Sequence, residues 1–411
     1  MIDQTCTMNL PAFGAPAREG CEPRQPLWRG RLARLAGAAA AIATSLSIAA
    51  PLQARDWSDL TVSAPATVEN LTVYFLHGAS APGPVPLTLG EALRKDQVIV
   101  HETGNVERLE IENTGSEAVF VQAGDIVKGG RQDRVLTVSL LIPPRSGRLA
   151  IGAYCVEQGR WSQRGGESAK KFASAEAQLP SLEAKRSLYA AKPAPAAPSP
   201  RNVPSDRTAH TQALTRPQVQ NRVDTLGNVL GRVSQNQARS AQSEIWANVA
   251  EVQRKLSSNL ATSVKSTLSG SSLQLTLENQ KLAETRKKLV AELLPKGTAA
   301  NDIRGYAFAI NGRINSVEVY PSNALFRKMW PKLLRASATE AIAEQDAAKT
   351  AAPPPAPADV NAFIDEAANA KSERDDLQAG LSRERRQTKR TLANETRKAD
   401  GSTVHMSILA R

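Results

Sequence analysis

From Leu71 to Tyr154 the chain sets short apolar runs between turn signals: Leu71–Leu76, Val98–His101, Val106–Ile111, Ala118–Val121, Val135–Leu141 and Leu149–Tyr154. Leu109 with Ile111, and Val119 with Val121, recur at every second position, the period of a half-buried strand. Asn113-Thr114-Gly115 and Pro143–Gly147 carry the residues that turns demand. Six strands at this spacing, interrupted by a short helix over Leu89–Arg94, predict an antiparallel sandwich or barrel. Further on the period changes. Ile245, Val249, Val252, Leu256 and Leu260 form one helical stripe bordered by Trp246. Leu273–Leu294 reads as a second helical stretch that stops at Pro295-Lys296-Gly297. Gly305–Ile310 and Ile314–Tyr320 read as a hairpin about Asn311-Gly312, since a type I′ turn needs positive φ at both central residues. A helix then opens after Pro321, capped by Ser322 or Asn323, with Phe326, Trp330 and Leu334 on one face. Val360–Lys398 reads as a charged helical segment, and Val404–Leu409 as a closing strand. The fold class predicted is α+β: an N-terminal antiparallel β sandwich or barrel with C-terminal helices and a β-hairpin.

Two stretches rich in proline and alanine, 191–217 and 351–357, read as loops without a core of their own. If the closing strand returns to the β core, both loops lie inside a single α+β domain over 55–411. Residues 1–54 read as an N-terminal extension and signal peptide. Arg24, Arg29, Arg31 and Arg34 make the basic region and Leu35–Ala50 the apolar one, with cleavage expected after Ala54. This predicts a periplasmic or secreted protein that meets the membrane only through its export signal. Cys6 and Cys21 fall in the leader, so Cys155 is the only cysteine of the mature chain and is expected to be buried. Cleavage removes five of 52 basic and three of 40 acidic residues and leaves a net charge of +10. The basic residues are scattered and lack interleaved aromatics, so no nucleic-acid partner is expected.

The densest polar punctuation runs from Gly124 to Trp161. Gly129-Gly130 permits a sharp turn whose N–H groups can cradle an anion. Arg131 and Arg134 add forked donors for phosphate or carboxylate, with Asp125 and Asp133 to orient them or to accept a ligand hydroxyl, and Gln132 lies among them in the candidate site. Glu157, Arg160 and Trp161 add a carboxylate, another fork and a stacking face. These residues form the candidate ligand site, and Asp125 and Glu157 are the candidate catalytic carboxylates if the protein is an enzyme. The competing reading is a structural salt-bridge cluster, with the arginines paired to Asp125, Asp133 or Glu157 and Trp161 capping the core.

Several of these motifs resemble one bacterial family, the ARG and rhodanese-phosphatase-superfamily-associated (ARPP) domain. They are Gly124-Asp125, the run Gly129 to Arg134, Pro143-Pro144, the run Cys155 to Trp161, Glu244-Ile245-Trp246, the run Gly305 to Arg313, Leu325-Phe326, Trp330 to Leu334, and Val404-His405-Met406-Ser407. The resemblance covers roughly residues 68–410 and departs at the proline-rich loops. By its name it implies association with ADP-ribosylglycohydrolases and phosphatases, hence ADP-ribose or related phosphorylated ligands. An export signal departs from the cytosolic setting such ligands imply.

Other chemistries lack their motifs. His77, His101, His210 and His405 show no metal-ligand spacing, and there is no CxxC, HExxH, GxSxG or Walker loop, so no metal site is expected and no cofactor is identified. Three readings remain open: an exported domain binding a small anionic ligand, phosphorylated or carboxylated; a hydrolase of a phosphorylated or ribosylated compound; and a structural envelope protein.

Overall fold

The computed structural model describes residues 59–160, 171–190, 241–346 and 352–411. The leader, Trp161, the loop at 191–217 and Ala351 lie outside the described residues. Among the described residues no helix is long and apolar enough to cross a membrane.

The chain begins with β1 (Thr61–Val62), β2 (Ala66–Val68), β3 (Leu71–His77) and β4 (Leu87–Thr88). Helix α1 (Leu89–Arg94) starts at Thr88, whose hydroxyl and backbone exchange hydrogen bonds with Glu91 in a capping box. Then come β5 (Val98–Glu102), β6 (Arg108–Asn113), β7 (Val119–Val121), β8 (Asp125–Gly129), β9 (Arg134–Leu136), β10 (Leu140–Ile142), β11 (Gly147–Cys155) and β12 (Phe172–Gln178). Helices follow: α2 (Leu182–Ala190), α3 (described over 241–259), α4 (Leu273–Leu277) and α5 (Gln280–Leu293). The hairpin β13 (Ile303–Ile310) and β14 (Arg313–Val319) leads into α6 (Asn323–Ala343). The last elements are α7 (Pro357–Asn369), β15 (Ser372–Asp376), β16 (Ser382–Gln387), β17 (Thr391–Arg397) and β18 (Thr403–Ala410).

The fold is α+β, built on antiparallel sheets. Six strands run in the order β12-β8-β9-β11-β6-β5, and a small sheet has the order β10-β7-β4, with β4 and β7 parallel. A nine-stranded sheet carries β1-β3-β13-β14-β18-β17-β16-β15, with β2 beside β3. β3, from the start of the chain, therefore lies beside the hairpin, and β18, from its end, fills the gap between β14 and β17. All eight residues of β13 are buried, because helices cover both faces of this sheet. Tyr306 and Phe308 face Trp330 and Phe326 of α6, whereas Ala307 and Ala309 share a second core with Val360, Phe363 and Ile364 of α7.

The hairpin turns at Asn311 (φ 52°) and Gly312 (φ 73°), both positive as its turn type requires. Ser322 caps α6. Three expectations need correction. The apolar run Val135–Leu141 is two strands, since β9 pairs with β8 and β11 while β10 crosses to β7. Leu273–Leu294 is two helices, restarted where the Asn279 side chain caps α5. Only the start of the charged segment Val360–Lys398 is helix; beyond Asn369 it forms β15, β16 and β17. Its charges are met across strands and along them: Arg383 of β16 pairs with Asp375 of β15 at 2.6 Å, and Glu395 of β17 receives Arg386 of β16 at 2.9 Å and Arg397 of its own strand at 2.8 Å.

Candidate functional site

The run Gly124 to Arg160 folds into β8, β9 and β11, and their pairing brings most of the candidate residues together. Leu136, Val135 and Arg134 lie opposite Ala153, Tyr154 and Cys155, so the residues just before β9 meet those just after β11. Asp133 and Glu157 are both fully buried at this junction.

Asp133 is the hub. One carboxylate oxygen accepts from the Gly129 N–H at 3.0 Å and lies 3.7 Å from the Arg160 guanidinium. The other accepts from the Ser272 hydroxyl at 3.0 Å. Ser272 is also the N-cap of α4, so the same contact pins a helix 139 residues further along the chain. Glu157 accepts from Arg160 Nε at 2.7 Å and from the Asp133 N–H at 3.4 Å, and its backbone carbonyl accepts from Gln132 at 3.3 Å. Arg134 donates to Gln132 at 3.0 Å and sits 3.6 Å from Glu102. The glycine turn thus does bind an anion, and the anion is the chain's own Asp133.

The glycines are needed for packing as well. Gly129 has φ +111°, and a Cβ there would lie 2.6 Å from the Lys171 carbonyl oxygen. A Cβ on Gly130 (φ +55°) would fall 2.3 Å from the Phe172 ring. Both positions therefore hold β8 against the start of β12.

Arg131 is exposed, and only its backbone N–H joins the cluster, donating to Glu102 at 3.3 Å. Asp125 belongs to a different group. It pairs with Lys332 at 2.7 Å and accepts from Gln178 and from the Gln122 N–H. Four residues of extended strand, about 13 Å, separate it from Gly129 and the Glu157 side of the network. The structure does not bring Asp125 and Glu157 together as an acid–base pair. Cys155 is fully buried, with its thiol 2.9 Å from both Gln132 and Arg134. Burial pushes the thiol up to about 11, against the pull of the Arg134 guanidinium.

A second buried cluster, near the middle of the large sheet, was not legible as a site. His405 lies between the Ser139 hydroxyl (3.0 Å) and Glu318 (3.0 Å, off the ring N–H axis), with Tyr320 and Phe120 against its ring. It packs β18 onto the β7–β10 region and is closed to solvent.

Among the described residues an open cleft lies elsewhere. It measures about 1460 Å³ and runs between α2, α3, the β13–β14 turn, the end of α6 and the C-terminal strand. Arg186, Arg313 and Arg390 stand along it together with several carboxylates. Two of its lining side chains, Glu340 and Asn315, are buried. Glu340 accepts from the Leu182 N–H at the start of α2 (2.7 Å) and from Asn315 Nδ2 (3.0 Å). Burial raises its pKa above the usual carboxylate value and Glu344 adds to this, while Lys185, Asn315 and Leu182 pull the other way. Neither residue carried a sequence signal: Glu340 sits in an alanine-rich helix and Asn315 in a strand. Among the described residues no group of His, Cys, Asp and Glu is placed to hold a metal ion.

Among curated proteins and among solved structures, no significant match to the chain was found. The family model described as ARG and Rhodanese-Phosphatase-superfamily-associated Protein domain (ARPP-1) matches residues 59–409, which include both buried clusters and all of the cleft lining except Ala410 and Arg411. The match spans most of the sequence, and the chain therefore belongs to the ARPP-1 family.

Proposed function

We propose that this chain is an exported binding domain for a small anionic ligand, phosphorylated or carboxylated, and that the ligand sits in the cleft beside α2 and α6. The observation that carries the reading is the cleft itself: it is large enough for a small molecule, arginines stand along it, and polar groups are buried in its wall. The Gly129–Arg160 cluster supports the reading less well, because Asp133 already occupies its anion cradle. Arg313 is exposed and forks toward solvent from the start of β14, the arrangement that suits a carboxylate or phosphate.

Thermal shift and equilibrium dialysis with inorganic phosphate, citrate and sugar phosphates test this. Binding weakened by Arg313→Ala with Arg390→Ala is expected; no binding to any of them by the intact protein rejects it. The hydrolase reading has one observation in its favour, a buried carboxyl of raised pKa in the cleft. Turnover of a sugar phosphate that is lost in Glu340→Gln while binding persists would establish it. Export is tested by sequencing the N-terminus of the protein recovered from the periplasm, with residue 55 expected first.

A further inference from the structure

Helix α5 places Arg286 against α6. Its Nη1 donates to the Thr339 hydroxyl at 3.0 Å, and that hydroxyl donates in turn to the Arg335 carbonyl at 2.7 Å. Arg335 and Thr339 lie one turn apart on the same face of α6, so the Arg286 guanidinium is tied to the turn from which Arg335 projects. Negative charge is scarce there. The carboxylate that meets Arg335 belongs to Glu176 of β12, 4.0 Å away and 85% exposed, and a second Arg335 nitrogen lies 3.5 Å from the Glu176 backbone carbonyl. Among the described residues Arg286 is in no ion pair. Lys332, one turn earlier on the same helix, is by contrast matched by Asp125 at 2.7 Å. Arg286 is half-buried, and its guanidinium is held below the ordinary arginine value by that burial and by the Arg335 charge, with Glu176 opposing.

We infer that Arg286 and Arg335 form an anion site between α5 and α6 that takes a phosphate group, either as the free ion or at the end of an ester. This site is separate from the one under the proposed function, because neither arginine lines the cleft. Two guanidinium charges share one carboxylate, and that carboxylate stands at the limit of ion-pair reach with its side chain in water, where such a pair contributes little. Like charges held together in a partly desolvated place disfavour each other's ionised form, and an oxyanion between them removes that cost. A guanidinium carries several N–H donors, and Arg286 uses one on Thr339. The remaining donors, with those of Arg335, can grip two oxygens of a tetrahedral phosphate in the forked manner that arginine favours. Thr339 is fully buried and fixes one edge of the site, so the site is partly formed before anything binds. An arginine with a purely structural part has its fork filled by carboxylates, as Arg386 has with Glu384 and Glu395.

The test titrates inorganic phosphate and glycerol 1-phosphate into the intact chain by calorimetry at constant ionic strength. Saturable phosphate binding is expected in the parent and should persist in the chain carrying Arg313→Ala and Arg390→Ala, which isolates this site from the cleft. On that background Arg286→Gln or Arg335→Gln should lower phosphate affinity about tenfold, the loss of a charge-assisted hydrogen bond. Glu176→Gln should raise it about two- to threefold, because the exposed carboxylate competes for Arg335. A structural part for the arginines does not predict that gain. Since the Glu176 side chain is exposed, this variant also decides the matter if circular dichroism and melting show an arginine variant to be unfolded. Glycerol 1-phosphate separates the two sources: an ester that binds as tightly as phosphate assigns the site to an esterified group, and weaker ester binding assigns it to the free ion. The site is overturned by absence of phosphate binding in the Arg313→Ala, Arg390→Ala chain, by affinity indifferent to folded Arg286→Gln and Arg335→Gln, or by a Glu176→Gln variant that fails to bind more tightly. Each of those results leaves the proposed function standing as long as the parent binds citrate or a sugar phosphate through Arg313 and Arg390.

Discussion

Buried carboxylates are treated in two different ways in this molecule. Asp133 and Glu157 are enclosed with Arg160, and both Asp133 oxygens receive protein donors. Glu340 is buried to a similar degree in the wall of a cleft, but among the described residues no arginine pairs with it. The first arrangement spends its donors on fastening β8, the turn after β11 and α4 to one another. The second keeps a group of raised pKa available. A cluster of charge in a sequence is thus a poor guide to a site, because charges of opposite sign can pair with one another inside the fold.

The most severe way to break this comparison is to end the chain at Thr350. That removes α7 and β15–β18, opens the edge of β14, and takes Arg390, Ala410 and Arg411 from the cleft while sparing every residue of the Asp133 network. Because unpaired strand edges are costly, loss of cooperative thermal unfolding is expected. A truncated protein that melts like the parent would make residues 351–411 an independent tail, and 55–411 would not be a single domain. Asp133→Ala comes next. It strands the Gly129 N–H, the Ser272 hydroxyl and the Arg160 guanidinium, and should cost about 3–5 kcal/mol in urea unfolding. A loss below about 1 kcal/mol would mean that the network is not structural.

Gly129→Ala should cost about 1–3 kcal/mol, since it strains a backbone at φ +111° and drives a methyl against the Lys171 carbonyl. Unchanged stability would put the glycine's role back with a ligand. The smallest effect is expected at the cleft, where Glu340→Gln should alter stability by on the order of 1 kcal/mol in a pH-dependent way. Glu340 has a folded pKa raised above that of an ordinary glutamate side chain, 4.5. The stability it contributes is fully present below pH 4.5 and is lost as pH rises through the folded value. Parent minus variant melting temperature should therefore increase on acidification from pH 7 toward 4.5. A flat difference would show that Glu340 is not held as the acid. Lys185, from α2, and Glu344, on its own helix, are the charged groups that would tune the midpoint.

Elements controlled by neighbours in sequence were legible from the residues alone. Helix α1 follows from Thr88 and Glu91 three residues apart, the β13–β14 turn from Asn311-Gly312, and the start of α6 from Ser322, because capping and positive φ are local requirements. The burial of Cys155 and the return of β18 to the sheet also followed from apolar patterning. β8 did not, because its glycines and charges look like a loop until β9 and β12 pair with it. Nor did β15–β17, whose charges are paired across strands as well as along them. The meeting of Gly129–Arg134 with Glu157 and Arg160 could be expected from the strand pairing between them, but the bond from Ser272 to Asp133 could not, since Ser272 comes from another part of the chain. The cleft was hidden for the same reason. Glu340 and Leu182 are 158 residues apart, and the vacancy beside them exists only once α2, β14 and α6 are packed together.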